Sequence, residues 1–122
     1  MKYFCQMRSF FWLLILSTAV SCSRTDKLPK GMMSEEEMVV FLLELHTIQS
    51  KVQNLRLPMD SSELLFLTLE KDLLNEHQVR DTTFYESYSW YLDHPDIMFD
   101  IYGAVIDSLT LRNSLVRKAK EQ

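Results

Sequence analysis

The chain has 122 residues, of which 47% are hydrophobic and 25% are charged, and its formal net charge is -4. A globular domain needs about 100 to 150 residues to bury an adequate core, so this length allows one domain at most. Two glycines are too few for a phosphate-binding loop, and neither GxGxxG nor GxxxxGK[ST] occurs, which excludes the common nucleotide-binding enzymes. The scarcity of Gly and Pro favours helices over the turn-rich strands of a sandwich or barrel.

The first residues have the profile of an export signal. An unbroken apolar run over 10–16 follows Lys2 and Arg8, and small residues then lead to Cys22. A basic start, a short apolar stretch and small residues are typical of a cleaved signal peptide. The alternative, an uncleaved anchor helix, would be shorter than the ~17 residues that a membrane span usually needs. The segment Ala19-Val20-Ser21-Cys22 resembles a bacterial lipobox, so residues 1–21 are predicted to be removed and Cys22 to carry the lipid, whether translation starts at Met1 or Met7.

Cleavage would change the chemistry of the remaining chain. The 101 residues from Cys22 onward have a net charge of -6, and Cys5 is lost with the signal, so no disulfide can form within the chain. Acyl chains on Cys22 would hold the body at a membrane outside the cytoplasm. An acidic body is a poor binder of nucleic acid. Residues 22–32 read as a flexible tether and residues 33–122 as the folded domain.

Two helices are predicted in the first half of that domain. Ser34 and Glu37 form a capping box, and Met33 and Met38 occupy the positions of a hydrophobic staple. The helix continues to about Asn54 with an apolar face made by Met38, Phe41, Leu42, Leu45, Ile48 and Val52. After Pro58, Asp60 with Glu63 is predicted to cap a second helix that runs to about Asn75. Its many leucines predict that this second helix lies in the middle of a bundle.

Two further helices complete the predicted fold. Asp81 suits the first turn of a third helix that ends near Asp93, because Pro95 disfavours helical geometry at His94. Pro95 is well suited to be the first residue of a fourth helix. One face of that helix carries Met98, Ile101, Tyr102, Val105, Leu109 and Val116. The sequence therefore predicts an all-α bundle of about four helices behind a lipoprotein signal peptide.

No residue pattern predicts catalysis. The tripeptide His94-Pro95-Asp96 occurs in J-domains, but the basic helix that precedes it there is missing, which favours a plain helix junction. His46, His77 and His94 lack the i, i+4 spacing of a metal-binding helix, so no metal or cofactor is predicted. No serine stands in a G-x-S-x-G or S-x-x-K setting. The chain is therefore predicted not to be an enzyme.

An aromatic cluster is the strongest candidate for binding. Phe84, Tyr88 and Tyr91 share one helical face and are expected in the core, whereas Tyr85 and Trp90 point elsewhere. Exposed Trp and Tyr are enriched at binding sites, so these two could contact a partner or stack on a sugar; ordinary packing is the alternative. Val40 and Leu43 lie off the main apolar face of the first helix, and they join Tyr85 and Trp90 as the predicted partner or ligand surface.

The chain resembles an uncharacterised family of small lipoproteins that is common in the Bacteroidetes, the domain of unknown function 4296. The resemblance rests on the lipobox at Cys22, on Met38 and Leu45-His46, and on a later pattern made of Phe84-x-x-x-Tyr88-x-x-Tyr91, His94-Pro95 and Ile101-Tyr102-x-x-Val105. It implies a cell-envelope lipoprotein and supplies no activity, substrate or catalytic residue. No acidic run follows Cys22, which favours the outer membrane, on the side that faces the periplasm.

Two functions fit these observations. The first is a lipid-tethered helical module without enzymatic activity that binds another envelope protein. The second is a small-ligand or glycan-binding lipoprotein that uses Tyr85 and Trp90. A deep pocket around Trp90 would favour a ligand, and a flat exposed strip with Val40 and Leu43 would favour a protein partner.

Overall fold

The computed structural model describes residues 27–121. The predicted signal peptide 1–21, the lipid attachment at Cys22 and the first residues of the predicted tether lie outside this range. Within it the chain forms four helices and no strand: α1 is Glu35–Asn54, α2 is Met59–Glu76, α3 is Asp81–Leu92 and α4 is Pro95–Lys120. The prediction of a small all-α bundle is confirmed.

The start of α1 follows its local sequence signal. The Ser34 Oγ accepts a hydrogen bond from the Glu37 N–H at 3.2 Å, and a Glu37 carboxylate oxygen accepts one from the Ser34 N–H at 2.8 Å. The capping box is therefore complete, and it provides acceptors for two N–H groups at the start of the helix. Met33 and Met38 on either side of it are both buried in the core.

The predictions for α2 are wrong in two respects. Its N-cap is Pro58, with no side-chain hydrogen bond, so Asp60 with Glu63 does not cap it. Only Glu70, Leu73 and Leu74, in its C-terminal half, are buried. The α2 helix packs against α1, and α1 also packs against α4, so the central helix is α1 rather than α2. In the first half of α2, Leu64 and Leu67 are therefore exposed.

The α3 helix begins and ends as predicted, and α4 begins as predicted, with Pro95 in its first turn. The predicted apolar face of α4 is only partly correct. Met98, Ile101 and Val105 are buried, but Val116 is 54% exposed because α4 continues beyond the part of the helix that contacts the core.

The α1 and α4 helices start at the same end of the bundle and run in the same direction. Ser34 and Glu35 of the α1 start line a groove with Ile97, and Val39 further along α1 lines another with Ala104. We call the end that holds Met33 the proximal end and the opposite end the distal end. No helix within residues 27–121 is long and apolar enough to cross a membrane.

Candidate functional site

The four residues of the predicted partner surface do not form one patch. Tyr85 is 55% exposed and Val40 is 46% exposed, whereas Leu43 is 7% exposed and belongs to the core cluster. Trp90 is half-buried and packs against the same core. Tyr85 and Trp90 line different grooves. Leu43 therefore cannot contribute to a surface, and the flat strip of Val40, Leu43 and Trp90 does not exist.

Trp90 is held by its neighbours at the end of α3. Its ring stacks on the His94 ring with centroids 3.8 Å apart, and it meets the Tyr91 ring edge-on at 5.2 Å. The His94 Nδ1 donates to the Trp90 carbonyl oxygen at 2.7 Å. The Trp90 carbonyl lies in the last turn of α3 and lacks a partner within the helix, so this hydrogen bond satisfies it and the His94-Pro95 pair forms a helix junction. Beside Trp90 is an open groove of about 490 Å³ that Leu28, Ser34 and Ile97 also line.

Tyr85 stands in a larger groove of about 650 Å³ at the corner of α2 and α3. Its hydroxyl donates to a Glu70 carboxylate oxygen at 3.0 Å, and Glu70 is only 8% exposed. Burial, followed by the hydrogen bond to Glu70, raises the pKa of Tyr85. Glu70 was not among the predicted site residues, because its burial depends on contacts between helices that are distant in sequence. A buried acceptor beside an exposed phenol ring can orient a small polar ligand.

The three histidines have separate roles. His77 Nε2 lies 2.8 Å from a Glu44 carboxylate oxygen, which ties the end of α2 to α1. His46 Nδ1 is 3.4 Å from the Gln49 Oε1, and its Nε2 is buried without a hydrogen-bond partner. Within residues 27–121, no three His, Cys, Asp or Glu side chains are grouped so that they could hold a metal ion.

Two buried hydrogen bonds fix the segment that precedes α1. The Tyr91 hydroxyl donates to the Met33 carbonyl oxygen at 2.8 Å, and the Met33 N–H donates to the Ser87 Oγ at 2.9 Å. Ser87 is fully buried and donates in turn to the Thr83 carbonyl oxygen at 2.6 Å. The hydrogen bonds with Tyr91 and Ser87 join backbone atoms of Met33 to side chains of α3. We call this arrangement the Met33 clamp, and no sequence pattern predicted it.

The surroundings of two tyrosines, the buried Tyr91 and the half-buried Tyr102, favour the neutral phenol. Burial raises the pKa of Tyr91 to about 12, with smaller contributions from the charges of Glu35 and Glu37. Burial also raises the pKa of Tyr102 to about 12, and its hydroxyl shares a 3.1 Å hydrogen bond with that of Tyr88. Neither phenol can act as a base near neutral pH, so both are structural groups.

Leu28 contacts the helical body ahead of α1. Its side chain packs against the core at the proximal end, in the groove beside Trp90. The contacts therefore start within residues 22–32, the range predicted to be the tether. The described chain therefore enters the bundle at the proximal end.

Comparison with known proteins and protein families identifies the family of the chain. No curated protein and no solved structure is detectably similar to the chain. One family model matches residues 29–114, a span that contains α1, α2, α3 and most of α4. Since this match covers more than half of the chain, the protein belongs to the family described as Domain of unknown function (DUF4296).

Proposed function

We propose that this protein is a lipid-anchored component of the cell envelope and that it acts without catalysis, by binding another envelope protein through exposed apolar side chains of its helices. The lipid would be attached to Cys22 after removal of residues 1–21, and the body would face the periplasm from the outer membrane.

One observation carries the binding part of the proposal. Large apolar side chains are exposed to solvent on α2 and α4, outside the parts of these helices that contact the core: Met59 is 83% exposed, Leu64 is 68% exposed and Leu111 is 61% exposed. Exposed apolar groups that gather on part of a surface mark interaction sites more often than single scattered ones. The anchoring part rests on the sequence, in which a basic start and an apolar run lead to small residues and Cys22.

The anchor is tested with two cysteine variants. Cys22→Ala is expected to abolish fatty-acid labelling and to release the chain from the membrane fraction. Cys5→Ala is the matched control, because Cys5 lies in the segment that would be removed, and it is expected to leave both readouts unchanged. Retention and labelling of Cys22→Ala at the level of the natural chain would contradict the anchor.

Small-ligand binding is the second candidate function, and the Tyr85 groove favours it. The groove has a volume of about 650 Å³ and combines an exposed phenol ring with the buried Glu70 carboxylate. Binding of soluble oligosaccharides is expected to weaken in Tyr85→Ala if this candidate is correct. Calorimetric titration of the two proteins measures the difference, and Phe99→Ala serves as the control for loss of an exposed ring elsewhere.

A further inference from the structure

The last part of α4 differs from the rest of the protein in charge. Residues 27–110 contain six Lys and Arg but fifteen Asp and Glu, a formal charge of -9. Residues 111–120 contain no acidic residue and have four basic ones, namely Arg112, Arg117, Lys118 and Lys120. Basic residues suit the C-terminal turn of a helix, but the dipole accounts for only the last turn, so Arg112 needs another explanation.

The same segment exposes apolar side chains. Leu111 is 61% exposed, Leu115 is 56% exposed and Val116 is 54% exposed. Leu111 and Leu115 are i, i+4 neighbours and therefore lie on one side of the helix. We call these three residues and the four cations the basic end of α4.

The basic end lies at the distal end of the bundle. The α1 and α4 helices run in the same direction from the proximal end, where Leu28 and Ile97 line one groove. At 1.5 Å per residue, Leu111 is about 21 Å and Lys120 about 35 Å further along α4 than Ile97. The apolar side chains of Leu55, Leu57 and Met59, at the α1–α2 connection, are also exposed at this end.

The anchor limits what the basic end can reach. Five residues lie between Cys22 and Leu28, so a fully extended chain from one to the other spans at most about 21 Å. With Cys22 in the membrane, the proximal end stays close to that membrane and an upright bundle directs its basic end away from it. Two copies in one membrane are oriented alike, so the basic end of one copy does not meet the acidic proximal end of the other.

We propose that the basic end of α4 is the docking surface for the partner, and that the partner is a protein with an apolar strip flanked by acidic side chains, such as an acidic amphipathic helix. This inference rests on the proposed function and specifies its contact surface and the chemistry of the partner. Leu111, Leu115 and Val116 bury against the apolar strip, and the four cations pair with the acidic flanks. The acidic remainder of the body repels the same partner, which confines docking to the distal end.

The location is tested by photo-crosslinking in cells that express the full chain. A photoreactive amino acid replaces Leu115, Phe99 or Tyr85 in turn. Phe99 is the matched control, because it is apolar and more exposed but lies near the start of α4. We expect an adduct from position 115 and none from position 99. The adduct should fall about tenfold in Arg117→Glu/Lys118→Glu, because reversed charges at an interface rim slow association. The pair Lys30→Glu/Lys71→Glu changes the net charge equally and should leave the adduct unchanged.

The crosslinking outcomes separate this inference from the proposed function. A protein adduct from position 85 but not from position 115 would overturn the docking surface and leave the proposed function standing. An adduct from position 115 that charge reversal does not reduce would overturn the stated partner chemistry. The absence of any protein adduct from all three positions would overturn both.

The partner chemistry is tested with defined probes. The full lipidated chain, held in zwitterionic phosphatidylcholine discs, is titrated with a synthetic helix that has Leu on one face and Glu elsewhere. We expect binding that weakens with salt and that falls about tenfold or more in Leu115→Ser, from loss of buried apolar area. Phe99→Ser should bind as the natural chain does. Equal binding of a probe with Lys in place of Glu would overturn the inference.

A lipid surface is the competing occupant, since basic apolar helices also bind anionic membranes. The same chain is therefore mixed with phosphatidylglycerol vesicles. Binding to these vesicles that is lost in Arg117→Glu/Lys118→Glu, together with no binding of the Leu and Glu helix, would overturn the protein partner in favour of a membrane.

Discussion

Ser87 is a single side chain on which the Met33 clamp depends. Its Oγ accepts from the Met33 N–H and donates to the Thr83 carbonyl oxygen, and the residue is fully buried. Ser87→Ala leaves the Met33 N–H buried without an acceptor, so we expect the free energy of unfolding to fall by about 1–3 kcal/mol. Urea unfolding measures this. Ser108→Ala is the control, since its hydroxyl donates to the Ala104 carbonyl on an exposed part of α4. Equal effects of the two changes would contradict the role of Ser87.

Because Tyr91 can ionise, the stability that the Met33 clamp contributes depends on pH. Its pKa is raised from 10.0 to about 12, chiefly by burial, so the folded state favours the neutral phenol. The stabilisation is therefore complete below pH 10 and is lost as the pH rises through 12. Tyr91→Phe should be less stable than the natural chain at pH 7, because the Met33 carbonyl loses its donor, yet lose less stability between pH 10 and pH 12. Urea unfolding of both proteins between pH 10 and pH 12 measures this difference. An equal loss of stability in the two proteins would contradict the role of Tyr91.

The contribution of the N-cap to the stability of α3 can be tested by substituting one residue. Its N-cap is Arg80, which has extended backbone angles but no side-chain hydrogen bond to the helix. Arginine has no acceptor, whereas a serine hydroxyl can accept from the first turn. Arg80→Ser should therefore raise the free energy of unfolding by about 1 kcal/mol relative to Arg80→Ala. Thermal unfolding of the two variants measures the difference, and identical midpoints would show that this helix start needs no cap.

How well each helix could be predicted depends on how local its signals are. The starts of α1 and α4 follow from a capping box and from Pro95, and both signals act within one turn. The burial of α2 could not be predicted from local signals. A leucine-rich sequence is compatible with a helix that neighbours cover on several sides and with one that they cover on a single side. Its exposed Leu64 and Leu67 follow from α1 being the central helix, which is a property of the whole bundle.

The residues of the candidate site also differ in whether local sequence signals predict their exposure. The exposure of Tyr85 could be predicted from helical spacing, since its position lies off the face of Phe84, Tyr88 and Tyr91. The burial of Leu43 and the buried acceptor Glu70 could not, because both depend on contacts between helices that are distant in sequence. Ser87 carried no signal at all, since a serine in the middle of a helix is usually a solvent-facing residue.

At the scale of the whole molecule, the packed core ends before α4 does. Val105 is 1% exposed and Val116 is 54% exposed, although both lie on the same predicted face. Val105→Ala should lower the free energy of unfolding by about 2 kcal/mol, through lost burial and a cavity. Val116→Ala should change it by no more than about 0.5 kcal/mol. Chemical denaturation tests the pair, and a comparable loss in both variants would mean that α4 is packed along its full length.

The Met33 clamp also determines how the molecule responds to a mechanical load. A pull on the chain ahead of Leu28 would, without the clamp, act on the first turn of α1 and unwind that helix from its start. The hydrogen bond that Tyr91 donates to Met33 and the one that Met33 donates to Ser87 would instead transfer the load to α3. The bundle is therefore attached to the preceding segment through the side of one helix, and it can be pulled without being unravelled from its end.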